Sequence, residues 1–324
     1  MEAKFRPGKL QIALAFLSIY IIWGSTYLAI RFAIDTIPPL VMAGARFLLA
    51  GLPLYLVLRL MGTERPSLAE WRTSCVLGVL LLSVGTGGVV LSEKSVPSGL
   101  VSLLVAMVPV YVAILEWMVG GFKKVSYLSG LGLLVSTFGI FILVSPSLLG
   151  GVGKVDAMGI LLVMFSSFSW ALGTVISRKL TMPRSAMLGT AMQMIAGGAF
   201  LLVAAFIFGE HRDFEPARIS LSSLAAFGYL TLFGSIAAFS AYTWLLKHLS
   251  PERVSTYAYV NPVVAVLLGW VILGEPVGPT TVVAAFTILS GVGILSLSSA
   301  PPLRPAYRRD SQNRAVSQVE VAAK

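Results

Sequence analysis

Arg46 is the residue whose type and position most directly suggest chemistry, because it lies inside a long apolar run, residues 40–60. A guanidinium group held near the centre of a hydrocarbon core costs about 2.5–3.5 kcal/mol and therefore needs a partner. Asp35 and Glu93, at the ends of neighbouring apolar runs, and freed main-chain carbonyls are the candidate structural partners. The alternative partner is an anionic group of a substrate, which the planar guanidinium can bind through two parallel hydrogen bonds.

Aromatic side chains mark a second set of positions. Tyr20, Trp23 and Tyr27 follow an i, i+3, i+7 spacing and therefore share one face of a helix. Trp23 and Trp170 each fall near the middle of an apolar run, away from the interface where Trp and Tyr usually concentrate. Two indoles at that depth could stack on a planar or apolar solute. The alternative is that they face lipid or pack in the core.

Prolines inside two apolar runs mark a third set. Pro262 follows Asn261 near the middle of the ninth run, and Tyr257 lies one turn earlier on the same face. Pro109 interrupts the fourth run and frees the carbonyl of Val105, because proline lacks an amide donor. Irregular helices at matching places in two halves are typical of transporter sites at the midplane. We expect Pro109 and Pro262 to be hinges, with a purely structural kink as the alternative.

The elements that position these residues follow from composition. Of 324 residues, 56 % are hydrophobic and 12 % charged, and the mean hydropathy is +0.87. A soluble domain carries about 25 % charged residues, so this chain predicts an all-α polytopic membrane protein. Ten apolar runs are each long enough to cross a bilayer. They are residues 12–31, 40–60, 71–92, 97–119, 125–145, 157–177, 185–208, 222–246, 253–274 and 279–299.

The basic residues predict the orientation. With the N-terminus in the cytoplasm, 18 of the 24 Lys and Arg residues lie on the cytoplasmic side and four on the other. Cytoplasmic loops collect basic residues, so both termini are predicted to be cytoplasmic. The net charge of +10 is thereby explained by topology, and we expect no nucleic-acid partner. Residues 300–324, which are basic and rich in proline, predict a disordered tail.

The chain also contains an internal repeat. One offset aligns Trp23 with Trp170 and Arg46 with Gln193, and a slightly larger one aligns Pro109 with Pro262. Because each copy holds five spans, an odd number, the second copy must be inverted relative to the first. Inverted repeats are the architecture of many secondary transporters, whose substrate site lies between the halves.

Several short motifs carry a resemblance to a known family. They are Trp23-Gly24-Ser25-Thr26-Tyr27, Pro38-Pro39, Ala43-Gly44-Ala45-Arg46-Phe47, Val96-Pro97-Ser98-Gly99 and the run from Tyr259 to Gly269 followed by Gly274-Glu275. In these the chain resembles the EamA family of the drug/metabolite transporter superfamily, and its YedA-like branch most. The resemblance implies two inverted five-helix repeats, residues 10–145 and 155–299, and export of small metabolites across a bacterial inner membrane. The first repeat has Gly120-Gly121-Phe122 where the second keeps Leu273-Gly274-Glu275.

The function predicted from these features is alternating-access transport of small organic solutes such as amino acids, metabolites or drugs. The expected substrate-binding residues are Trp23, Tyr27, Arg46, Thr86, Trp170, Tyr257 and Asn261. An organic-phosphate or nucleotide-sugar antiporter is the alternative within transport, and it would require more basic residues in one cavity. An integral membrane enzyme acting on lipid-linked substrates would require clustered Asp, Glu or His, so no enzyme activity is expected.

The sequence contains few residues that could bind a coupling ion or a cofactor inside the predicted spans. Glu116 is the one carboxylate clearly inside a predicted span, and a salt bridge to Lys123 or Lys124 is favoured over a role in proton coupling. With His211 and His248 far apart along the chain, no metal site or cofactor is expected. The expected partners are a small-molecule substrate and the lipid bilayer.

Overall fold

The computed structural model describes residues 8–119, 127–148 and 156–297. Ten helices, which we number α1 to α10, account for most of them. They are α1 Lys9–Ala33, α2 Pro39–Leu60, α3 Leu68–Ser92, α4 Ser98–Val119, α5 Tyr127–Leu148, α6 Ala157–Ile176, α7 Ala186–Ile207, α8 Leu221–His248, α9 Tyr257–Leu273 and α10 Pro279–Leu297. The predicted tail and Gly120-Gly121-Phe122 lie outside the described residues.

Seven of the described helices, α1 to α4 and α6 to α8, are long and apolar enough to cross a hydrocarbon core. The remaining three contain shorter apolar stretches, Gly130–Leu143, Val260–Leu273 and Pro279–Gly291. The chain is an all-helical polytopic membrane protein. The helix boundaries follow the predicted spans closely, except that the ninth begins at Tyr257 after a separate turn, Pro251–Val254.

Helix starts fall where local chemistry supplies acceptors for unpaired amide groups. Ser67 and Glu70 form a reciprocal capping box at α3, and Asp156 caps α6 through Met158 and Gly159. By contrast, α2 and α4 begin after proline and have no side-chain cap of their own. At the start of each of these two helices, a carboxylate from another part of the chain accepts hydrogen bonds from the free amide groups.

Those two carboxylates show how equivalent helices of the two halves pack. Glu210, just beyond the C-terminal end of α7, accepts from the amides of Leu40 (2.7 Å) and Val41 (3.1 Å) at the start of α2. At the opposite ends of this pair, Arg184 lies 3.6 Å from Glu64. Helices α2 and α7 are therefore antiparallel.

The same relationship holds for α4 and α9. Glu275, beyond the end of α9, accepts from the amides of Ser98 (2.8 Å) and Gly99 (3.0 Å) at the start of α4. A carboxylate at a helix N-terminus satisfies free amide groups and interacts favourably with the helix dipole. Each contact ties the second half of the chain to the first.

Glycines allow these helices to approach backbone to backbone. A Cβ atom at Gly44 of α2 would lie 3.0 Å from the carbonyl oxygen of Gly198 on α7. One at Gly78 of α3 would lie 2.5 Å from the carbonyl oxygen of Gln193, also on α7. Such contacts are typical of helix interfaces in membranes, where small residues permit close packing.

Irregular backbone occurs at related places in the two halves. Helices α3 and α8 each contain a π-helical segment, Gly78–Thr86 and Leu230–Ala238. Helix α4 is interrupted at Ala106–Met107, close before Pro109. In the ninth span the interruption lies at residues 255–256, six residues before Pro262, and α9 continues through that proline. The expected break near the middle of this span is therefore displaced toward its start.

Candidate functional site

A cavity of about 670 Å³, counting the space at its mouth, lies between α1, α2, α3, α4, α6, α8 and α9. All seven residues predicted to bind substrate line it. They are Trp23, Tyr27, Arg46, Thr86, Trp170, Tyr257 and Asn261. Both halves of the chain contribute to the wall, as the internal repeat predicts for a site between them. The substrate-binding role of these residues stays a prediction.

Arg46 is buried in this wall, with 4 % of its surface exposed. Its Nε donates to Ser235 Oγ on α8 (2.9 Å), and its guanidinium carbon lies 4.7 Å from the centre of the Phe47 ring. The Nη1 atom has no hydrogen-bond partner. The Nε atom is thus fixed by Ser235, whereas Nη1 is a buried donor without a partner.

The expected pairing of Arg46 with Asp35 or Glu93 is wrong. Asp35 is exposed, and Glu93 lies against Arg31, whose Nη1 donates to the main-chain oxygen of Glu93. The Arg46 side chain is directed to the π-helical segment of α8, so its structural partner is a hydroxyl group rather than a carboxylate.

An aromatic cluster closes part of the cavity. Trp23 contacts Trp170, Tyr242 and Tyr257, with ring centroids 5.5, 5.2 and 5.0 Å apart. All three contacts are edge-on or tilted, and aromatic quadrupoles favour edge-on contacts over face-to-face stacking. Phe239 extends the cluster from α8, 6.1 Å from Trp170. The two indoles that the repeat aligns are therefore in direct contact.

The two indoles differ in their hydrogen bonding. Trp23 Nε1 donates to the carbonyl of Gly234 (3.2 Å). Trp170 Nε1 has no partner of hydrogen-bond geometry, although the hydroxyls of Tyr242 and Tyr257 lie nearby. The N–H group of Trp23 is therefore paired within the protein, whereas that of Trp170 is a buried donor without a hydrogen bond.

Two serines of α6 add to the unused polar groups. Ser166 and Ser167 line the cavity, are almost fully buried, and have hydroxyls without a hydrogen-bond partner. With Arg46 Nη1 and Trp170 Nε1, four buried donor groups without a hydrogen-bond partner belong to residues that line the cavity. Among the described lining residues there is no carboxylate. Because buried polar groups are rarely left unpaired, this wall suits a ligand that carries acceptor atoms.

Asn261 and Thr86 contribute mainly to the structure of the wall. With the amide oriented by its partners, Asn261 donates to the carbonyls of Tyr20 (3.1 Å) and Tyr257 (3.2 Å), which joins α9 to α1. Thr86 Oγ1 donates to the carbonyl of Leu81 in its own helix (3.3 Å). Next to Thr86, a Cβ atom at Gly85 would lie 3.1 Å from Trp170, so glycine leaves room for the indole.

Several lining residues were not predicted from the sequence. Ser166, Ser167 and Phe239 fall in this group. Ser235, which is not among the lining residues but binds Arg46, was not predicted either. A hydroxyl group in the middle of an apolar run was the only available signal. Such serines commonly bond their own helix backbone, so the signal does not separate them from other serines.

Glu116 lies at the cytoplasmic end predicted for α4, with its Oε1 3.8 Å from Arg178 Nη1 on the second half. Its expected partners Lys123 and Lys124 lie outside the described residues. Neither Glu116 nor Pro109 and Pro262 line the cavity. The hinge role of the two prolines stays a prediction.

The chain is similar to known proteins over most of its length. The sequence profile of the EamA-like transporter family matches the chain twice, over residues 10–145 and 157–297. The chain is 40 % identical over 284 residues to the uncharacterized inner membrane transporter YedA of Escherichia coli (strain K12), covering 87 % of this chain and 90 % of YedA. It is 24 % identical to a protein of Salmonella typhimurium named "Probable amino-acid metabolite efflux pump", covering 86 % and 92 %.

A solved crystal structure has the same fold. It superposes with a TM-score of 0.64 at 17 % sequence identity, covering 90 % of this chain and 98 % of that one. The two profile matches agree with the duplicated halves predicted from the sequence, and together they span most of the chain. The protein belongs to the EamA-like transporter family and is a transporter rather than an enzyme.

Proposed function

We propose that this protein is a secondary transporter that exports small organic solutes bearing an anionic group, by alternating access around the cavity. The observation that carries the proposal is the set of unused donors in the cavity wall, with Arg46 Nη1 as its cationic member. A carboxylate matches these donors, because a guanidinium and hydroxyl groups can both donate to its oxygens.

We propose further that ten helices span the inner membrane, with both termini cytoplasmic and the halves inverted. The antiparallel packing of α2 on α7 supports the inversion, since copies related by an axis in the membrane plane run in opposite directions. The relative YedA is named an inner membrane transporter, which supports the location.

The solute class follows from charge and shape. The aromatic cluster around Trp23 and Trp170 offers faces for an apolar or planar group, and no described lining residue offers a carboxylate to a cation. The name of the Salmonella typhimurium relative supports amino-acid metabolites as candidates. An organic-phosphate or nucleotide-sugar antiporter is less well supported, because Arg46 is the one cationic side chain among the described lining residues.

Counterflow in proteoliposomes tests the proposal. Each solute is offered in matched forms: an aromatic or aliphatic amino acid, its N-acetyl derivative, which is a net anion, and the corresponding amine, which lacks the carboxylate. We expect exchange of one or both carboxylate forms and none of the amine. Protein-free liposomes are the control for leakage. Equal exchange of an amine and its parent acid would contradict the proposed anion site.

A further inference from the structure

Glu93 is a buried carboxylate that the proposed substrate site does not use. It follows directly after the end of α3 at Ser92, and none of its surface is exposed. Neither carboxyl oxygen has a hydrogen-bond partner. Val89, one helical turn earlier, lines the cavity, so Glu93 lies just beyond the cavity wall.

Charged and polar groups from α1 and from the segment after α9 face this carboxylate. Arg31, in the last turn of α1, donates to the main-chain oxygen of Glu93 instead of to its carboxylate. Glu275, beyond the end of α9, adds a second negative charge, and Tyr27 of α1 interacts with Glu93 electrostatically. The neighbouring Lys94 is exposed.

Glu275 forms no hydrogen bond with the carboxylate of Glu93. Its own oxygens are occupied by the start of α4, where Oε1 accepts from the amide and the hydroxyl of Ser98 (both 2.8 Å) and Oε2 from the amide of Gly99 (3.0 Å). Glu275 therefore caps the start of α4, and its charge disfavours a second anion at Glu93.

An ionised carboxylate is poorly accommodated in this place. Burial without hydrogen bonds disfavours the charged form of an acid. Burial accordingly raises the pKa of Glu93 well above its usual range, an effect that Arg31 opposes and Glu275 strengthens. In the packing seen here, the neutral carboxyl group is the form that fits.

We propose that Glu93 is a proton-binding site, which holds a proton while α1, α3 and the end of α9 are packed together and releases it when this end of the molecule opens to water. On release the carboxyl O–H bond breaks, the proton passes to water, and the remaining anion pairs with Arg31. The coupling of this step to solute movement rests on the proposed transport function, whereas the protonation itself does not.

Infrared spectroscopy of the full chain in lipid tests the protonation directly. We expect the carbonyl band of a protonated carboxyl group to be present at neutral pH, to disappear on titration to alkaline pH, and to be absent in Glu93→Gln. Glu64→Gln is the matched control, because Glu64 is an exposed partner of Arg184 and the same chemical change there should leave the band in place. No band at neutral pH, or a band unchanged in Glu93→Gln, would overturn the proposal.

Two further variants keep the test decisive even where Glu93→Gln does not fold. Arg31→Gln removes the cation, so the band should persist to higher pH. Glu275→Gln removes the second negative charge while keeping an acceptor for α4, so the band should disappear at lower pH. A purely structural role of Glu93 predicts neither shift, and the absence of both shifts in folded protein would count against a titrating Glu93.

The coupling has its own measurement. In proteoliposomes that show counterflow of a solute, the response of the counterflow rate to an imposed pH gradient should be lost in Glu93→Gln and kept in Glu64→Gln. A full response in Glu93→Gln would overturn the coupling. Because the infrared band needs no transported solute, failure of the proton site and failure of the transport proposal are separately visible.

Discussion

Arg46 on α2 and Ser235 on α8 are joined by a hydrogen bond of 2.9 Å between Nε and Oγ, which links the two halves of the chain inside the cavity wall. Ser235 in turn donates to the carbonyl of Leu230 (3.2 Å), so its hydroxyl accepts from Arg46 and donates to its own helix. The guanidinium group is thereby held by one nitrogen while Nη1 stays free. On this one side chain, Nε makes the contact that positions the guanidinium group, and Nη1 is the nitrogen proposed to contact the ligand.

Replacing Arg46 tests the ligand contact. Arg46→Gln removes one charge-assisted hydrogen bond, about 1.5–3 kcal/mol, and should weaken binding of an anionic solute roughly tenfold to a hundredfold. Arg46→Lys should restore only part of the affinity, because a point charge lacks the planar fork. The measurement is the half-saturating concentration in counterflow per folded molecule, with Arg184→Gln, at an exposed site, as the control. Unchanged affinity in monodisperse Arg46→Gln would refute the anion anchor.

Ser235 should act through Arg46. Ser235→Ala removes the acceptor for Nε and should weaken anion binding by about 1 kcal/mol, roughly fivefold. In the double variant with Arg46→Gln the two losses should not add, because the serine has no remaining partner to position. Ser18→Ala, at a half-buried serine of α1 that bonds its own helix and does not line the cavity, is the control. Fully additive losses would show that Ser235 contributes independently of Arg46.

The two indoles should respond differently to loss of their N–H groups. Trp170→Phe keeps an aromatic ring and removes an unused donor, so solute affinity should fall about threefold to tenfold with little change in stability. Trp23→Phe breaks the bond to Gly234 and leaves that carbonyl unpaired, so thermal stability should fall. Thermal unfolding and counterflow, measured on both variants, test this predicted difference between the two indoles. Equal effects of the two substitutions would contradict the assigned difference.

Close packing of α3 on α7 should make Gly78 intolerant of a methyl group. A Cβ atom there would lie 2.5 Å from the Gln193 carbonyl oxygen, so Gly78→Ala should destabilise the protein by about 1–3 kcal/mol. Gly228→Ala, at a helical glycine with open space around it, should be neutral or stabilising by up to about 1 kcal/mol. The measurement is the unfolding transition of both variants in the same detergent. A Gly78→Ala protein as stable as wild type would contradict the packing.

The proposed orientation predicts the side on which each loop lies. Reporters fused after residue 299 or inserted at Leu180 should be cytoplasmic, and a reporter in the segment 210–218 should be on the opposite side. The bias in Lys and Arg residues is the physical reason, since such residues are retained on the cytoplasmic side. Termini on different sides of the membrane would exclude ten spans with an inverted repeat.

The sequence by itself determined the class of protein, the helices and seven of the residues that line the cavity. Span positions are local properties, because the length of an apolar run between charged residues sets where a helix can begin and end. The alignment of Trp23 with Trp170 predicted that these two distant residues flank one cavity, because in the proposed inverted repeat equivalent positions lie on either side of the axis that relates the copies. Their rings are 5.5 Å apart.

Only the tertiary structure decided which groups face one another. Hydropathy reports the depth of Arg46 along its helix but not the direction of its side chain around the helix axis, so Ser235 could not be distinguished from Asp35 or Glu93 as its partner. The π-helical segment that holds Ser235 depends on packing between helices rather than on local propensity. The burial of Glu93, at the end of an apolar run where a carboxylate is ordinarily hydrated, likewise results from α1 and the end of α9 covering it.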